Sequence, residues 1–125
     1  MKKIEAFIRH DRFEGIRAEL YAIGLPSLSV VEALGSGRQG GIVEHYRGAT
    51  ETLFLRPKLK LEMVVADEDV DAAIEVILNH ARTGEMGDGK IFVLPVERAV
   101  RIRTGEDGAT VVEAHHENHH AEAGA

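Results

Sequence analysis

The chain has 125 residues, enough for one domain with its own core and too few for two ordinary ones. Apolar residues make up 44%, near the globular average, and no apolar run approaches the roughly 20 residues that a membrane-spanning helix needs. The absence of cysteine excludes disulfides and thiol catalysis and fits a reducing cytoplasm. The formal net charge is −6, yet five acids and no lysine or arginine follow Arg103, so the body is nearly neutral and the C-terminal segment carries the charge. A neutral body argues against general nucleic-acid binding, which draws on many phosphate contacts.

Lys2 to Arg9 alternates, with Ile4, Ala6 and Ile8 on one side, and predicts a strand. Its first residues hold no apolar stretch of a secretory leader's length. Asp11 and Glu14 have the spacing of a capping box, with Asp11 as N-cap. Phe13, Ile16, Leu20 and Ile23 then recur at helical spacing until Gly24 and Pro26 stop the helix. Ser27 to Leu34 reads as a second strand. Residues 35–56 show no period and hold four glycines within seven residues, so they read as a loop of about 20 residues, a length that usually signals function. Pro57 to Ala66 is the clearest strand, with Leu59, Leu61, Met63 and Val65 on one face and Lys58, Lys60, Glu62 and Val64 on the other. Asp67 is expected to cap a second helix whose stripe is Val70, Ala73, Ile74, Ile77, Leu78 and Ala81. Gly87-Asp88-Gly89 makes a turn, Ile91 to Val96 a strand, and Ala99 to Arg103 another short strand.

The order strand–helix–strand, long loop, strand–helix–strand gives two βαβ halves. The expected fold is α+β, a ferredoxin-like sheet with both helices on one face. The other face carries Phe7 and Val64 among sparse charges, which suggests cover by another subunit. From Gly105 onward no core stripe is visible, and the tail is expected to be largely disordered.

Three segments carry chemistry. Gly35-Ser-Gly37-Arg38-Gln39-Gly40-Gly41 follows a strand; its glycines could turn N–H groups toward an anion, or simply form a hinge. It is no P-loop, because no Gly-Lys-Ser/Thr follows. Thr83 to Val93 sets a glycine turn before Lys90, either a cation for a phosphate or a solvated lysine after a tight turn. Arg101 and Arg103 alternate, and guanidinium forks suit phosphate, though a solvated edge strand would read the same. No nucleophile–base constellation stands beside Ser27, Ser29 or Ser36, so a non-enzymatic role is expected. Residues alone lead to a phosphate-binding, nucleotide-type domain with a long loop.

Taken together, Gly35-x-Gly37-Arg38-Gln39-Gly, Tyr46-Arg47-Gly48-Ala49, Pro57-Lys58-x-Lys60-x-Glu62, Thr83-Gly-x-x-Gly87-Asp-Gly89-Lys90-Ile-Phe-Val and Arg101-Ile-Arg103-Thr-Gly resemble the PII nitrogen-regulatory signal proteins over about residues 1–107. That resemblance implies a cytoplasmic homotrimer of ferredoxin-like subunits that binds ATP or ADP in clefts between subunits. It implies that Ser29, Gly35, Gly37, Arg38, Gln39, Glu62, Val64, Gly87, Gly89, Lys90, Arg101 and Arg103 line the nucleotide cleft. Gln39 would hold Mg²⁺ with ATP, and Gln39, Gly41 and Lys58 would take 2-oxoglutarate. The loop at about 36–56, the T-loop of that family, would engage a regulated enzyme or membrane transporter through Tyr46, Arg47, Gly48 and Glu51.

Departures from the family pattern qualify these implications. Glu51 stands where many bacterial members carry the uridylylated tyrosine, so control by uridylylation there is not expected. Gly40 replaces a frequent lysine, which removes a cation near the oxoacid position. The tail, residues 108–125, places His115/His119 and His116/His120 four apart, a spacing that would set each pair on one helical face for a transition metal. An alternative reading is therefore a PII-like regulator linked to metal efflux or another transporter, with these histidines as ligands.

Overall fold

The computed structural model describes residues 1–35 and 55–114. Four strands and two helices alternate along it: β1 (Lys2–Ile8), α1 (Phe13–Ala22), β2 (Ser29–Gly35), β3 (Arg56–Val65), α2 (Val70–Ala81) and β4 (Ile91–Pro95). The strands form one sheet in the order β2-β3-β1-β4 with every neighbouring pair antiparallel. This is the expected ferredoxin-like α+β arrangement, because each helix crosses over to a strand two places away, leaving room for a strand of the other half between. Residues 36–54 of the T-loop fall outside the described residues, and the expected loop is shortened at its end, because Arg56 already belongs to β3 and pairs with Gly35 of β2.

Alternation fixes which face of the sheet is covered. Ile4, Ala6 and Ile8 of β1 and Leu61, Met63 and Val65 of β3 are buried with Ile16 and Leu20 of α1 and Ala73, Val76, Ile77 and Ala81 of α2. Truncating a fully buried member such as Leu20 or Ile77 to alanine would cost about 2–5 kcal/mol. The α2 stripe is rotated slightly from the expected one: Val76 is buried, while Leu78 is exposed. Between the helices, His80 of α2 lies over α1, its Nε2 2.5 Å from Glu19 Oε1, and Gly15 leaves room for the ring.

The opposite face carries a cross-strand charge network at its centre. Lys3 Nζ lies 2.8 Å from Glu62 and 3.1 Å from Glu5, and Lys60 Nζ lies 3.4 Å from Glu62 and 3.6 Å from Glu5. The Lys3 hydrogen bond draws the Glu62 carboxyl down to about 2. Apolar side chains surround the network, with Val31 and Phe92 about half exposed.

Several local expectations are corrected. Neither aspartate caps its helix. A 3₁₀ turn, His10–Arg12, precedes α1 and makes Arg12 the N-cap, while Glu14 bonds Arg17. A second 3₁₀ turn, Asp67–Asp69, precedes α2, and Asp67 instead receives the Met1 amino group at 2.9 Å. Ala99 to Arg103 is not a strand: its only ladder contact is the isolated pair Val100↔Asp107, and residues 102–104 turn between them. The tail is not featureless from Gly105, because Ala109–Val112 forms a 3₁₀ turn and Ala114 packs on the core. His115, His116, His119 and His120 lie outside the described residues.

Candidate functional site

One end of the sheet gathers much of the expected chemistry. β1 ends there at Ile8, β2 at Gly35, β3 begins at Arg56 and β4 at Ile91, so Arg9, Gly35, Lys58 and the turn before β4 meet. Inside that turn, Asp88 acts as the internal tie. It accepts the Thr83 N–H at 2.8 Å, the Gly84 N–H at 2.9 Å, the Thr83 hydroxyl and the Arg9 Nε at 3.3 Å. These bonds, the Thr83 hydroxyl first, hold its carboxyl well below the usual carboxylate range. Arg9 also donates to the Met86 carbonyl at 2.8 Å.

Gly89 is fixed to β1. The Phe7 N–H donates to the Lys90 carbonyl at 3.0 Å, and Gly89 takes φ +97°. A Cβ there would stand 1.7 Å from the Phe7 carbonyl oxygen, so only glycine fits. Lys58 is buried, 8% exposed, and donates its ammonium to the Gly87 carbonyl. Burial pushes that ammonium below the usual lysine value, and nearby Arg9 adds to the effect.

What remains open at this end is a row of donors. Among the described residues, the amides of Gly87, Asp88, Gly89 and Lys90 bond to no acceptor, and the Lys90 ammonium has no ion-pair partner. A cleft of about 250 Å³ lies beside them, lined by Phe7, Ile77, Arg82, Asp88, Gly89 and Lys90. Consecutive free amides next to a cation suit an anion with several oxygens.

The other expected residues lie elsewhere. Ser29, Glu62 and Val64 stand on the uncovered face of β2 and β3, with Ser29 opposite Glu62. Val64 is paired with Lys3, four residues from Phe7 along β1. That puts it about 13 Å along the sheet from the Lys90 turn and two strand spacings, about 10 Å, across it. Arg101 and Arg103 follow β4 past its far end, where the Val96 N–H bonds the Met1 carbonyl. Arg101 pairs there with Glu106 at 3.2 Å, and Ile102 beside it is 99% exposed. A single copy thus divides the expected cations between opposite ends of the sheet. Gly37, Arg38, Gln39, Gly41, Tyr46, Arg47, Gly48 and Glu51 lie outside the described residues. Among the described residues no group of three histidines or acids could hold a metal.

Sequence reasoning gave no role to Arg9, Thr83 or Asp88. Arg9 read as the polar face of a strand. Asp88 sat inside a glycine turn, and the threonine five residues before it was the available signal.

Comparison with known proteins agrees with this architecture. The family described as nitrogen regulatory protein P-II matches residues 1–106. The nitrogen regulatory protein P-II of Cereibacter sphaeroides is 50% identical over 112 residues, 90% of this chain and all of that protein. Its counterpart in Haemophilus influenzae is equally similar over the same spans. Nitrogen regulatory protein P-II 2 of Methanothermobacter thermautotrophicus is 49% identical over 90% of this chain and 97% of its own length. With that match spanning both helices, all four strands and the Gly87–Lys90 turn, the chain belongs to the P-II family of nitrogen-regulatory signalling proteins.

Proposed function

We propose that the protein is a regulator that reads adenine nucleotides in clefts between its own subunits and reports their presence to a partner through the T-loop. The observation that carries this reading is the division of cations within one copy. The free amides of Gly87 to Lys90 suit phosphate oxygens, while Arg101 and Arg103 stand beyond the opposite end of the sheet. Both sets act on one nucleotide only if two copies meet, and the half-apolar uncovered face supplies a surface for that meeting. A trimer, the assembly that the resemblance implies, repeats this contact three times. The role is regulatory: the site binds, and the T-loop stems at Gly35 and Arg56 adjoin it.

The Lys90 turn fits ATP or ADP. Mg²⁺ would rest on Gln39, and 2-oxoglutarate on Gln39, Gly41 and Lys58. Of these only Lys58 is described, and its ammonium is occupied by the Gly87 carbonyl. An oxoacid carboxylate would have to displace that bond, without help from a cation at Gly40. Nucleotide is therefore the stronger effector in this reading and 2-oxoglutarate the weaker one.

A mixing experiment tests the shared cleft. Lys90→Ala and Arg101→Ala should each weaken ATP binding at least about tenfold, near the lower value for a bond to a charged group. Refolding the two variants together should regenerate some clefts with both residues intact, and a tight class of sites should reappear in calorimetry. If mixing never restores tight binding, or the protein scatters light as a stable monomer, the cleft does not lie between copies.

A further inference from the structure

Sulfur chemistry in this chain is confined to three methionines, because there is no cysteine. Met63 is 3% exposed and belongs to the core. Met1 is partly buried, with its amino group on Asp67 and its carbonyl on the Val96 N–H. Met86 is 64% exposed and stands in the turn before β4. A thioether takes up oxygen from peroxides, and access to the sulfur sets the order in which several of them do so.

The turn presents this side chain from a fixed backbone. The Met86 carbonyl accepts Arg9 at 2.8 Å, and the next carbonyl, that of Gly87, accepts the Lys58 ammonium. Asp88 ties the same stretch to the Thr83 and Gly84 amides. Directly after Met86 come the amides of Gly87, Asp88, Gly89 and Lys90, which bond to no acceptor among the described residues, and the Lys90 ammonium, which has no ion-pair partner there. A thioether sulfur is a weak acceptor and leaves such donors free. A sulfoxide is polar, and its oxygen accepts hydrogen bonds readily. Chained to the same turn, that oxygen meets the donors without the association cost that a free anion pays.

We propose that Met86 is an oxidation site whose sulfoxide competes with phosphate for the donors of the Gly87–Lys90 turn. The oxidant is a hydroperoxide. Its O–O bond breaks, one oxygen forms the new S–O bond, the sulfur is oxidised, and the remainder of the peroxide is reduced to water, or to an alcohol from an organic peroxide. A methionine sulfoxide reductase drawing on a thiol returns the sulfur to its starting state, so the change is reversible. The effect on binding rests on the nucleotide reading above; the selectivity for Met86 does not.

Limited treatment of the full chain with hydrogen peroxide, followed by peptide mass mapping and ADP titration, tests both parts. The peptide carrying Met86 should gain oxygen well before those carrying Met1 and Met63. Oxidation of Met86 no faster than Met63 overturns the site. Once Met86 is oxidised, the parent should bind ADP about tenfold more weakly, near the value of one bond to a charged group, and reductase treatment should restore the affinity. Met86→Leu, which keeps an apolar side chain and has no sulfur there, should bind ADP like the untreated parent both before and after peroxide. Met86→Gln, which carries an acceptor oxygen at similar reach, should bind ADP more weakly than Met86→Leu without any oxidant. Unchanged ADP binding by the parent with Met86 fully oxidised overturns the competition. An equal loss in peroxide-treated Met86→Leu assigns the effect to another residue and also overturns it. No ADP binding before treatment would instead refute the nucleotide reading, and the order of methionine oxidation then decides the site alone.

Discussion

Both ends of the sheet carry glycines and cations but hold them differently. At the Lys90 end the turn is tied from within by Asp88, from β1 by Arg9 and the Phe7 backbone, and from β3 by Lys58. Gly89 admits no side chain, because a Cβ there would stand 1.7 Å from the Phe7 carbonyl oxygen. At the far end, the turn between Val100 and Asp107 is closed by its own backbone, Arg101 N–H to the Glu106 carbonyl at 2.8 Å and Gly105 N–H to the Arg101 carbonyl at 2.7 Å, and by the surface ion pairs Arg98–Asp107 at 2.9 Å and Arg101–Glu106 at 3.2 Å; these bonds lie within the segment rather than to the sheet, and Ile102 is 99% exposed. A set of amides aimed at an anion gains from being fixed beforehand, since no ordering cost falls due on binding. An arm that reaches a neighbouring copy gains from being adjustable. The contrast fits a site assembled from one rigid half and one adaptable half.

Gly89→Ala should produce the largest change. It forces a side chain into positive φ and against backbone, and unfolding free energy should fall by about 3 kcal/mol or more. The check is the urea midpoint, and a midpoint equal to the parent's would mean that the turn is not pinned to β1.

Asp88→Asn should come next. The amide keeps one acceptor oxygen but loses the charge that gathers Thr83, Gly84 and Arg9. The thermal midpoint should fall, by less than for Gly89→Ala, and the Thr83 and Gly84 amides should exchange several-fold faster. Unaltered exchange at those two amides would show that the tie is not electrostatic.

Arg101→Ala should leave stability within about 0.5 kcal/mol, because an exposed pair contributes little. Its ATP affinity should nevertheless fall at least about tenfold. A stability loss as large as that of Asp88→Asn would erase the distinction between the two ends.

The smallest effect belongs to the uncovered face. Glu62 has a folded value of about 2 against an ordinary 4.5, with the Lys3 hydrogen bond as first cause. A depressed carboxyl stabilises the fold above its unfolded value and loses that contribution as pH falls through its folded one. Stability should therefore decline between pH 4.5 and about 2, with Asp88 acting in the same direction. Glu62→Gln should flatten part of this decline in urea midpoints measured across the interval. An unchanged slope would mean that Lys3 and Lys60 do not hold Glu62 in solution.

The sequence by itself determined the elements and the covered face. Period-two patterns in β1 and β3 and a helical period in α1 and α2 are set by how the backbone projects side chains, so Ile4, Leu61, Leu20 and Ile77 could be placed in the core without coordinates. The glycine turn at Gly87 and Gly89 before β4 was legible for a similar reason: glycine spacing is a local property of a turn. Caps were not legible. Asp11 and Asp67 had the right type and position, but competing 3₁₀ turns and the Met1 amino group decided their partners. Only the tertiary structure showed that Arg9 and Lys58 support the Gly87 turn from distant strands. It alone separated Lys90 from Arg101. Those relations depend on strand order and register, where residues far apart in the chain become neighbours through hydrogen bonds that no local pattern records.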